Sequence, residues 1–263
     1  MRLQKEYAIT GDAEAFKDAD RLKALELGVC ARSDVILYPS FEECSALREV
    51  LPNKTILEFP VTFFTQTEIE DSAAILQNAD NVDPFSMMFI GGFSHRPNVD
   101  GILWFLEQVF PLLQRIDERF RIRIAGSNAP AALEDYESDK VTLLGRISDE
   151  ELRTLYRGSG IAIIPLRYGG GVKGKIIEAF ALGTPVVSTS IGVQGIKDAE
   201  RCAFVADDAA GFADRLALAA SDRPQARARA RCALEFIQEY YSKDAVMRLL
   251  APHCPELLNA KMQ

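Results

Sequence analysis

Residues 161–191 carry the strongest structural signal in the chain. They comprise an apolar run (IAIIPL), a glycine-rich segment (RYGGG), an amphipathic segment (VKGKIIEAFALG) and a second apolar run (TPVVSTS). The first run is typical of a strand buried on both faces, and apolar residues at helical spacing indicate a helix packed on a sheet. Gly183 is placed to end that helix, because glycine readily adopts the left-handed conformation, and Pro185 follows it. The stretch therefore predicts a strand–turn–helix–strand unit with parallel strands.

The glycine-rich turn in this unit is suited to an anionic ligand. Glycines 169–171 have no Cβ, so the backbone can approach a ligand closely. They lead into a helix N-terminus, where free N–H groups and the helix dipole favour phosphate. Lys173 and Lys175 add positive charge beside that end, and Glu178 is placed to accept hydrogen bonds from ligand hydroxyls. For this turn alone, a glycine-softened loop with two solvated lysines is an equally good interpretation.

Composition and charge narrow the class of protein. The chain of 263 residues is 48% hydrophobic and 26% charged, which is ordinary for a soluble globular protein of one or two domains. A formal net charge of −8 argues against general affinity for nucleic acid or acidic membrane surfaces. Residues 1–10 have no apolar signal region, and no stretch is long enough to span a bilayer. We therefore predict a cytoplasmic protein that does not bind nucleic acid.

The cysteines and histidines offer little material for a metal site. The five cysteines form no CxxC pair, and we predict scattered, reduced thiols rather than a disulfide framework or a zinc site. His95 and His253 are too few for a multi-histidine site, and His95 falls in a glycine loop, where we interpret it as non-catalytic. Asp207 and Asp208 are better explained as a helix start than as metal ligands.

Residues 1–61 predict a small, partial α/β domain. Leu22, Leu25 and Val29 mark the apolar stripe of its first helix. The predicted elements are a helix at 12–31, a strand at 33–40, a helix at 41–52, a strand at 55–61 and an interdomain linker at 62–84.

Residues 85–263 predict the main domain, in which strands and helices alternate regularly. The predicted strands lie at 85–92, 119–126, 140–145, 161–164, 184–190 and 203–206. This alternation predicts an α/β fold with a doubly wound, Rossmann-like parallel sheet. Four strand ends are marked by glycines, at Gly91–Gly92, Gly126, Gly145 and Gly169–Gly171. Since ligands bind beyond the carboxyl ends of such strands, we predict a nucleotide or phosphate-bearing ligand there.

Local signals refine the helices of this domain. Ser148 and Glu151 predict a capping box, and Ser242 predicts the N-cap of the last helix. Trp104 and Phe105 have apolar neighbours, so we interpret them as core residues rather than as a platform for a base.

Three segments occur in an order and spacing that resemble a known family. They are GGFSHRPNVDGILWF, IRIAGSN and VTLLGRISDEELRTLYRGSGIAIIPLRYGGGVKGKIIEAFALGTPVVSTSIGVQGI. They resemble the C-terminal, donor-binding domain of GT-B glycosyltransferases, above all the retaining type of group 1 or family 4. The resemblance covers roughly residues 85–251. Residues 20–61, with DVILYPSFEECSAL, resemble the last units of that family's N-terminal domain.

The resemblance implies transfer of a sugar from a nucleotide diphosphate sugar with retained anomeric configuration. It implies no obligatory metal and no cofactor besides that donor substrate. The residues that it implies for the donor diphosphate are Gly91, Gly92, Arg96, Gly170, Gly171, Lys173 and Lys175. Those implied for the nucleoside are Gly126, Gly145, Arg146 and Glu178. No catalytic residue is assigned.

The sequence departs from the family pattern in two ways. Members carry two glutamates eight positions apart; the second matches Glu178, but the first falls at Gly170. Placement of the donor sugar is then expected to depend on backbone groups of the turn or on the lysines. The N-terminal domain is also shorter than the family's, without its histidine and acceptor pocket. We expect donor binding with poor turnover by this chain alone, the rest coming from a longer gene product or from another chain.

Three functions remain open at this point. The first is a retaining glycosyltransferase, or its donor half, that acts on a sugar, lipid-linked or protein acceptor, with association at the inner membrane face as an option. The second is a nucleotide-sugar-binding or interaction module with impaired catalysis. The third, a nucleotide-sugar epimerase of related shape, would need catalytic carboxylates and histidines that the sequence lacks.

Overall fold

The structure, a computed structural model, describes residues 13–77 and 81–253, with side chains from residue 21 onward. A small unit comes first. It comprises α1 (Ala13–Arg32), β1 (Val35–Tyr38), α2 (Phe41–Val50) and β2 (Thr55–Glu58). β1 and β2, which lie within the strands predicted at 33–40 and 55–61, form a two-stranded parallel sheet. Its core is small and consists of Cys30, Ile36, Cys44, Leu47 and Ile56.

The apolar stripe of α1 is largely exposed. Leu22, Leu25 and Val29 are 51%, 63% and 50% exposed. The helix packs through Cys30, with Leu27 partly buried beside it. The residues of the stripe therefore do not belong to the core of the small unit.

The segment predicted as a linker contains a helix, α3 (Gln66–Gln77). Ile69, Ser72 and Leu76 are its buried residues, and Leu76 packs in a small cluster with Ala230 and Leu234. The signal was weak because only one narrow side of α3 is apolar. The division into domains at 62–84 stays a prediction.

The main sheet has six parallel strands among the described residues, so the predicted doubly wound α/β architecture is confirmed. They are β3 (Ser86–Ile90), β4 (Arg121–Ala125), β5 (Val141–Gly145), β6 (Ile161–Ile164), β7 (Val186–Ser188) and β8 (Phe204–Val205). The strand order is β5-β4-β3-β6-β7-β8, in which the direction of winding reverses between β3 and β6. Ligands of doubly wound folds bind at such a switch point.

Helices cover both faces of this sheet. They are α4 (Arg96–Trp104), α5 (Phe110–Ile116), α6 (Asp149–Arg157), α7 (Gly174–Ala181), α8 (Ala209–Ser221), α9 (Arg223–Phe236) and α10 (Lys243–Leu250). A π-helical turn, Phe105–Val109, joins α4 to α5, and a second, Ile237–Tyr241, follows α9. Shorter 3₁₀ turns lie at Ala131–Tyr136 and Ala199–Arg201. No described helix is both long and apolar enough to cross a membrane.

Several local predictions are confirmed. Trp104 and Phe105 are buried in the core. The Ser148 and Glu151 side chains make both hydrogen bonds of the capping box at the start of α6. Ser242 caps α10 by accepting a hydrogen bond from the Ala245 amide at 3.1 Å.

The prediction that all cysteines are reduced is wrong for one pair. Cys202 and Cys232 form a disulfide across 30 residues of sequence. They come from the segment before β8 and from α9, and nothing in their sequence spacing indicates the contact. Cys30 and Cys44 are free and buried.

A short parallel bridge holds the segment before α3 to the residues before α10. The Phe64 amide donates to the Tyr241 carbonyl at 2.8 Å, and the Lys243 amide donates to the Phe64 carbonyl at 2.8 Å. Tyr241 is buried here, whereas Tyr240 is 46% exposed. The bridge ties the segment that follows the small unit to α10.

Candidate functional site

Two glycine loops meet at the switch point of the main sheet. Gly91 and Gly92 follow β3, and the turn 169–175 follows β6, the neighbouring strand. A Cβ added at Gly91 would lie 3.0 Å from Nζ of Lys175 and 2.8 Å from Cγ of Asn98. Only a glycine leaves room for these side chains, so the two loops are in direct contact.

A cavity of about 220 Å³ opens between these loops. Its lining combines the start of α4 with the turn before α7: His95, Pro97, Asn98, Leu166, Tyr168, Gly169, Gly170, Val172, Lys173, Gly174 and Lys175. Two lysines and several backbone amides thus line one small space. Larger grooves exist elsewhere, along α3 and α9, but they are far from the switch point.

Lys175 is the central cation of this space. Its Nζ donates to Oδ1 of Asn98 at 2.7 Å and lies 4.4 Å from the centre of the Phe89 ring. Burial lowers the pKa of Lys175 to about 7, against the opposing effect of Glu178, while Lys173 lowers it further. The ammonium group is therefore short of compensating negative charge in the ligand-free protein.

Asn98 connects the two loops, and the sequence analysis missed it. This buried side chain donates to the Gly92 carbonyl at 2.8 Å while it accepts from Lys175. It thereby holds the glycine loop and the cation in one arrangement. The available signal was a polar residue directly after Pro97, at the start of a helix whose later residues, from Gly101 to Trp104, are apolar.

Lys173 and the start of α7 form the other wall. The Lys173 side chain donates to the Gly171 carbonyl at 2.6 Å, which folds the turn back on itself. Lys173 is the N-cap residue of α7 and provides no capping hydrogen bond from its side chain. The Ile176 amide donates to the Lys173 carbonyl at 3.1 Å, whereas no side chain of the N-cap residue covers the N-terminus of α7, at Gly174 and Lys175.

Glu178 lies further along α7, beside a second residue that the sequence analysis missed. The hydroxyl of buried Tyr156 lies 3.2 Å from Oε2 of Glu178 and 3.1 Å from the Lys175 carbonyl, and it can donate to either. Burial first, and then Glu178, raises the pKa of Tyr156 well above its ordinary value. The neutral phenol therefore orients the Glu178 carboxylate.

The remaining predicted residues lie along the same sheet edge but not in the cavity lining. A Cβ at Gly126 would come 2.0 Å from the Gly91 carbonyl oxygen, so this glycine allows the ends of β3 and β4 to approach. Gly145 and Arg146 are exposed at the end of β5, two strands from β3. Arg96 is exposed at the first position of α4. Their roles in binding a ligand stay predictions.

Hydrogen bonds and ion pairs hold the loops that surround the cavity. The Thr189 hydroxyl donates to the Leu166 carbonyl, and Arg167 forms an ion pair with Asp100 on α4. Asp208 caps α8, and Asp207 accepts from the Ser190 amide at 2.7 Å, so both carboxylates serve local structure. These contacts hold the loop after β6 before any ligand binds.

The region that contains the site matches a known protein family. A model of the family "Glycosyl transferases group 1" matches residues 84–222, more than half of the sequence. The chain belongs to the group 1 glycosyl transferases. The matched region contains both glycine loops of the site.

The chain is also similar to a protein from Klebsiella pneumoniae. It is described as an uncharacterized 44.6 kDa protein in the cps region and is 30% identical over 170 residues. The match covers 61% of this chain and 44% of the relative, so the chain spans less than half of that protein.

Solved structures show that this group 1 chain has the GT-B fold. Sucrose-phosphate synthase from Thermosynechococcus elongatus superposes with a TM-score of 0.72 at 20% identity, over 99% of this chain and 67% of its own. The α,α-trehalose 6-phosphate synthase from Burkholderia multivorans gives 0.71 at 12% identity, over 95% and 65%. A pneumococcal O-GlcNAc transferase, solved with UDP and GlcNAc, gives 0.67 at 13% identity, over 89% and 47%.

Proposed function

We propose that this group 1 glycosyl transferase chain binds a nucleotide diphosphate sugar at the switch point and transfers its sugar with retained configuration. The observation that carries the proposal is the convergence of Lys173, Lys175 and the first amides of α7 on one cavity beside Gly91. These groups are hydrogen-bond donors and cations, and they are not matched by an equal number of acidic side chains. A pyrophosphate supplies the missing negative charge.

The chemistry that follows from this arrangement is stabilisation of the leaving group. When the bond between the anomeric carbon and the phosphate oxygen breaks, negative charge develops on the nucleoside diphosphate. Lys173 and Lys175 are already positioned, so they stabilise that charge with little reorganisation. Under this proposal the two lysines and the helix amides supply the positive charge at the diphosphate, and no metal ion is required.

The nucleoside is proposed to lie along the edge towards β5. Glu178 accepts hydrogen bonds from ribose hydroxyls, with its carboxylate held by Tyr156. Gly126, Gly145 and Arg146 provide the surface for the base. Arg96 adds a further cation at the start of α4.

The acceptor and the remainder of the enzyme lie beyond this site. We propose a sugar, lipid-linked or protein acceptor that approaches from the side of the small unit. The segment that completes the acceptor side belongs to a longer form of the protein or to another chain, because the relatives are longer than this chain. Retention is inferred from the family and would be read from the anomeric proton coupling of the product by NMR.

A ligand panel tests the proposal. The purified chain is mixed with UDP, GDP, ADP and one sugar derivative of each, and thermal unfolding is recorded. A ligand present at 100 times its Kd stabilises the folded state by about 2.7 kcal/mol. We expect a clear increase in Tm with nucleotides of one base and none with inorganic phosphate at equal concentration. If none of the six ligands raises Tm, the proposal is wrong.

The alternative function is a binding module without catalysis. The absence of a glutamate at position 170 favours it, because the glycine there offers no side chain to the sugar. Release of free sugar from the bound donor, or its transfer to an added acceptor extract, would establish turnover. Tight binding without either reaction would favour the module.

A further inference from the structure

The small unit places a carboxylate against the glycine turn. Oε2 of Glu43 lies 3.8 Å from the position that a Cβ on Gly171 would occupy. Next to it, a Cβ on Gly195 would lie 3.1 Å from Oγ of Ser40. The first turn of α2 therefore lies against the loops of the main sheet, with Glu43 beside Gly171.

The local sequence determines where this carboxylate points. Buried Ser40 ends the β1 segment and caps α2 by accepting from the Glu43 amide at 3.4 Å. Glu43 is thus fixed in the first helical turn, on the side that faces Gly171. Its side chain is partly buried, and no hydrogen bond joins its carboxylate to another described side chain.

Burial and two neighbouring charged side chains, Glu26 and Lys173, affect the Glu43 carboxyl group. Burial raises the pKa of Glu43, Glu26 raises it further, and Lys173 lowers it. Lys173 is close enough to influence Glu43, yet its ammonium group donates to the Gly171 carbonyl instead. The Glu43 carboxylate and the proposed diphosphate cation therefore lie on the same side of the turn and attract each other, while the Lys173 side chain stays bonded within the turn.

We propose that Glu43 accepts hydrogen bonds from hydroxyl groups of the sugar carried by the bound nucleotide. This inference rests on the proposed function, since it needs a diphosphate at the turn. The sugar is bonded directly to that diphosphate, so a diphosphate bound at the turn places the sugar near the turn as well. Glycines 169–171 offer it no side chain, whereas Glu43 supplies two acceptor oxygens from the small unit, beside Gly171.

The test separates affinity for the sugar from affinity for the nucleotide. Calorimetry measures the Kd of a nucleoside diphosphate and of its sugar derivative, using the pairs UDP and UDP-glucose, GDP and GDP-mannose, and ADP and ADP-glucose. We expect Glu43→Ala to weaken binding of the sugar derivative about tenfold or more. The same variant should leave the Kd of the nucleoside diphosphate within about twofold.

Controls distinguish this role from a structural one. Glu42→Gln changes an exposed acid in the same helical turn and should leave both constants unchanged. Glu43→Gln keeps one acceptor oxygen and the shape of the side chain, so it should lose less affinity than Glu43→Ala. Equal losses for nucleotide and nucleotide sugar, or no loss for either, would overturn the assignment. If the unmodified chain binds no nucleotide at all, the proposed function itself has failed.

Discussion

Lys175 carries an ammonium group that the ligand-free protein solvates poorly. In the described part of the chain it donates to Asn98 and lies over the face of Phe89, while burial lowers its pKa to about 7. A bound pyrophosphate would favour the charged form and raise that pKa. The lysine would then take up a proton when the ligand binds near neutral pH.

This linkage predicts how affinity depends on pH. Below about pH 7 the lysine is already charged, and affinity for a nucleotide sugar should be constant. Above about pH 7, binding must protonate Lys175, so affinity should fall as pH rises towards the pKa of the complex. Calorimetry at pH 8 in two buffers of different ionisation enthalpy measures the proton uptake. A nucleotide sugar is used because its diphosphate does not titrate in this range. Lys175→Arg should abolish the uptake, and equal uptake by that variant would contradict the assignment.

Glu178 provides a second prediction at this scale. Glu178→Ala should weaken nucleoside diphosphate binding about 10-fold or more, because a hydrogen bond to a charged group contributes about 1.5–3 kcal/mol. Stability should change little, since the Tyr156 hydroxyl keeps the Lys175 carbonyl as an acceptor at 3.1 Å. Glu178→Gln, which retains an acceptor, is the matched control. Unchanged affinity in calorimetry would remove the ribose assignment.

Among the elements, the sequence was most informative where strands end. Glycines after β3, β4, β5 and β6 predicted one ligand-binding edge, and the strand order places β3 beside β6 at the switch point. Parallel strands that end on one edge bring distant residues together, so the meeting of Gly91 with the turn 169–175 was predictable. Asn98, Tyr156 and Glu43 were not, because their contacts join different elements and leave no periodic pattern.

Two glycines at this edge form a matched pair for mutation. A Cβ at Gly126 would overlap the Gly91 carbonyl oxygen at 2.0 Å, whereas a Cβ at Gly92 meets nothing within 4 Å. Gly126→Ala should therefore lower the free energy of unfolding by about 1–3 kcal/mol. Gly92→Ala should change it by less than about 0.5 kcal/mol. Urea denaturation checks both values, and equal effects would show that the edge relaxes around the added methyl group.

The same pair separates folding from binding. If the backbone at Gly92 approaches the diphosphate, the methyl group of Gly92→Ala should weaken nucleotide binding although the protein remains stable. Unchanged nucleotide affinity in that variant would place the ligand elsewhere along the edge.

For the whole molecule, sequence patterns predicted the class of fold well, but they did not predict how buried side chains are divided between the main sheet and the small unit. The six-stranded sheet has large clusters of buried residues, whereas the small unit has the five-residue core around Ile36. Periodicity indicated the helix α1, but it could not show that its apolar stripe is largely exposed, because periodicity does not tell what covers an apolar face. The disulfide Cys202–Cys232 and helix α3 were not predicted either, since both depend on contacts between residues that are far apart in the sequence.

This difference in cores predicts unequal protection from hydrogen exchange. A two-stranded sheet is marginally stable without further packing. The amides of β1 and β2 should therefore exchange faster than those of β3, β4 and β6, whose side chains are mostly buried. Exchange followed by mass spectrometry on peptides from each region measures this. Equal protection in the two sheets would mean that they unfold as one unit.

The bridge between Phe64 and Ser242 has a consequence for the order of assembly. Its two halves lie far apart in the chain, and both hydrogen bonds of Phe64 need Tyr241 or Lys243. During synthesis, the main chain of Phe64 has to wait for those partners until all six strands of the main sheet have been made. The connection to the small unit can therefore be locked in place only after the whole main sheet has left the ribosome.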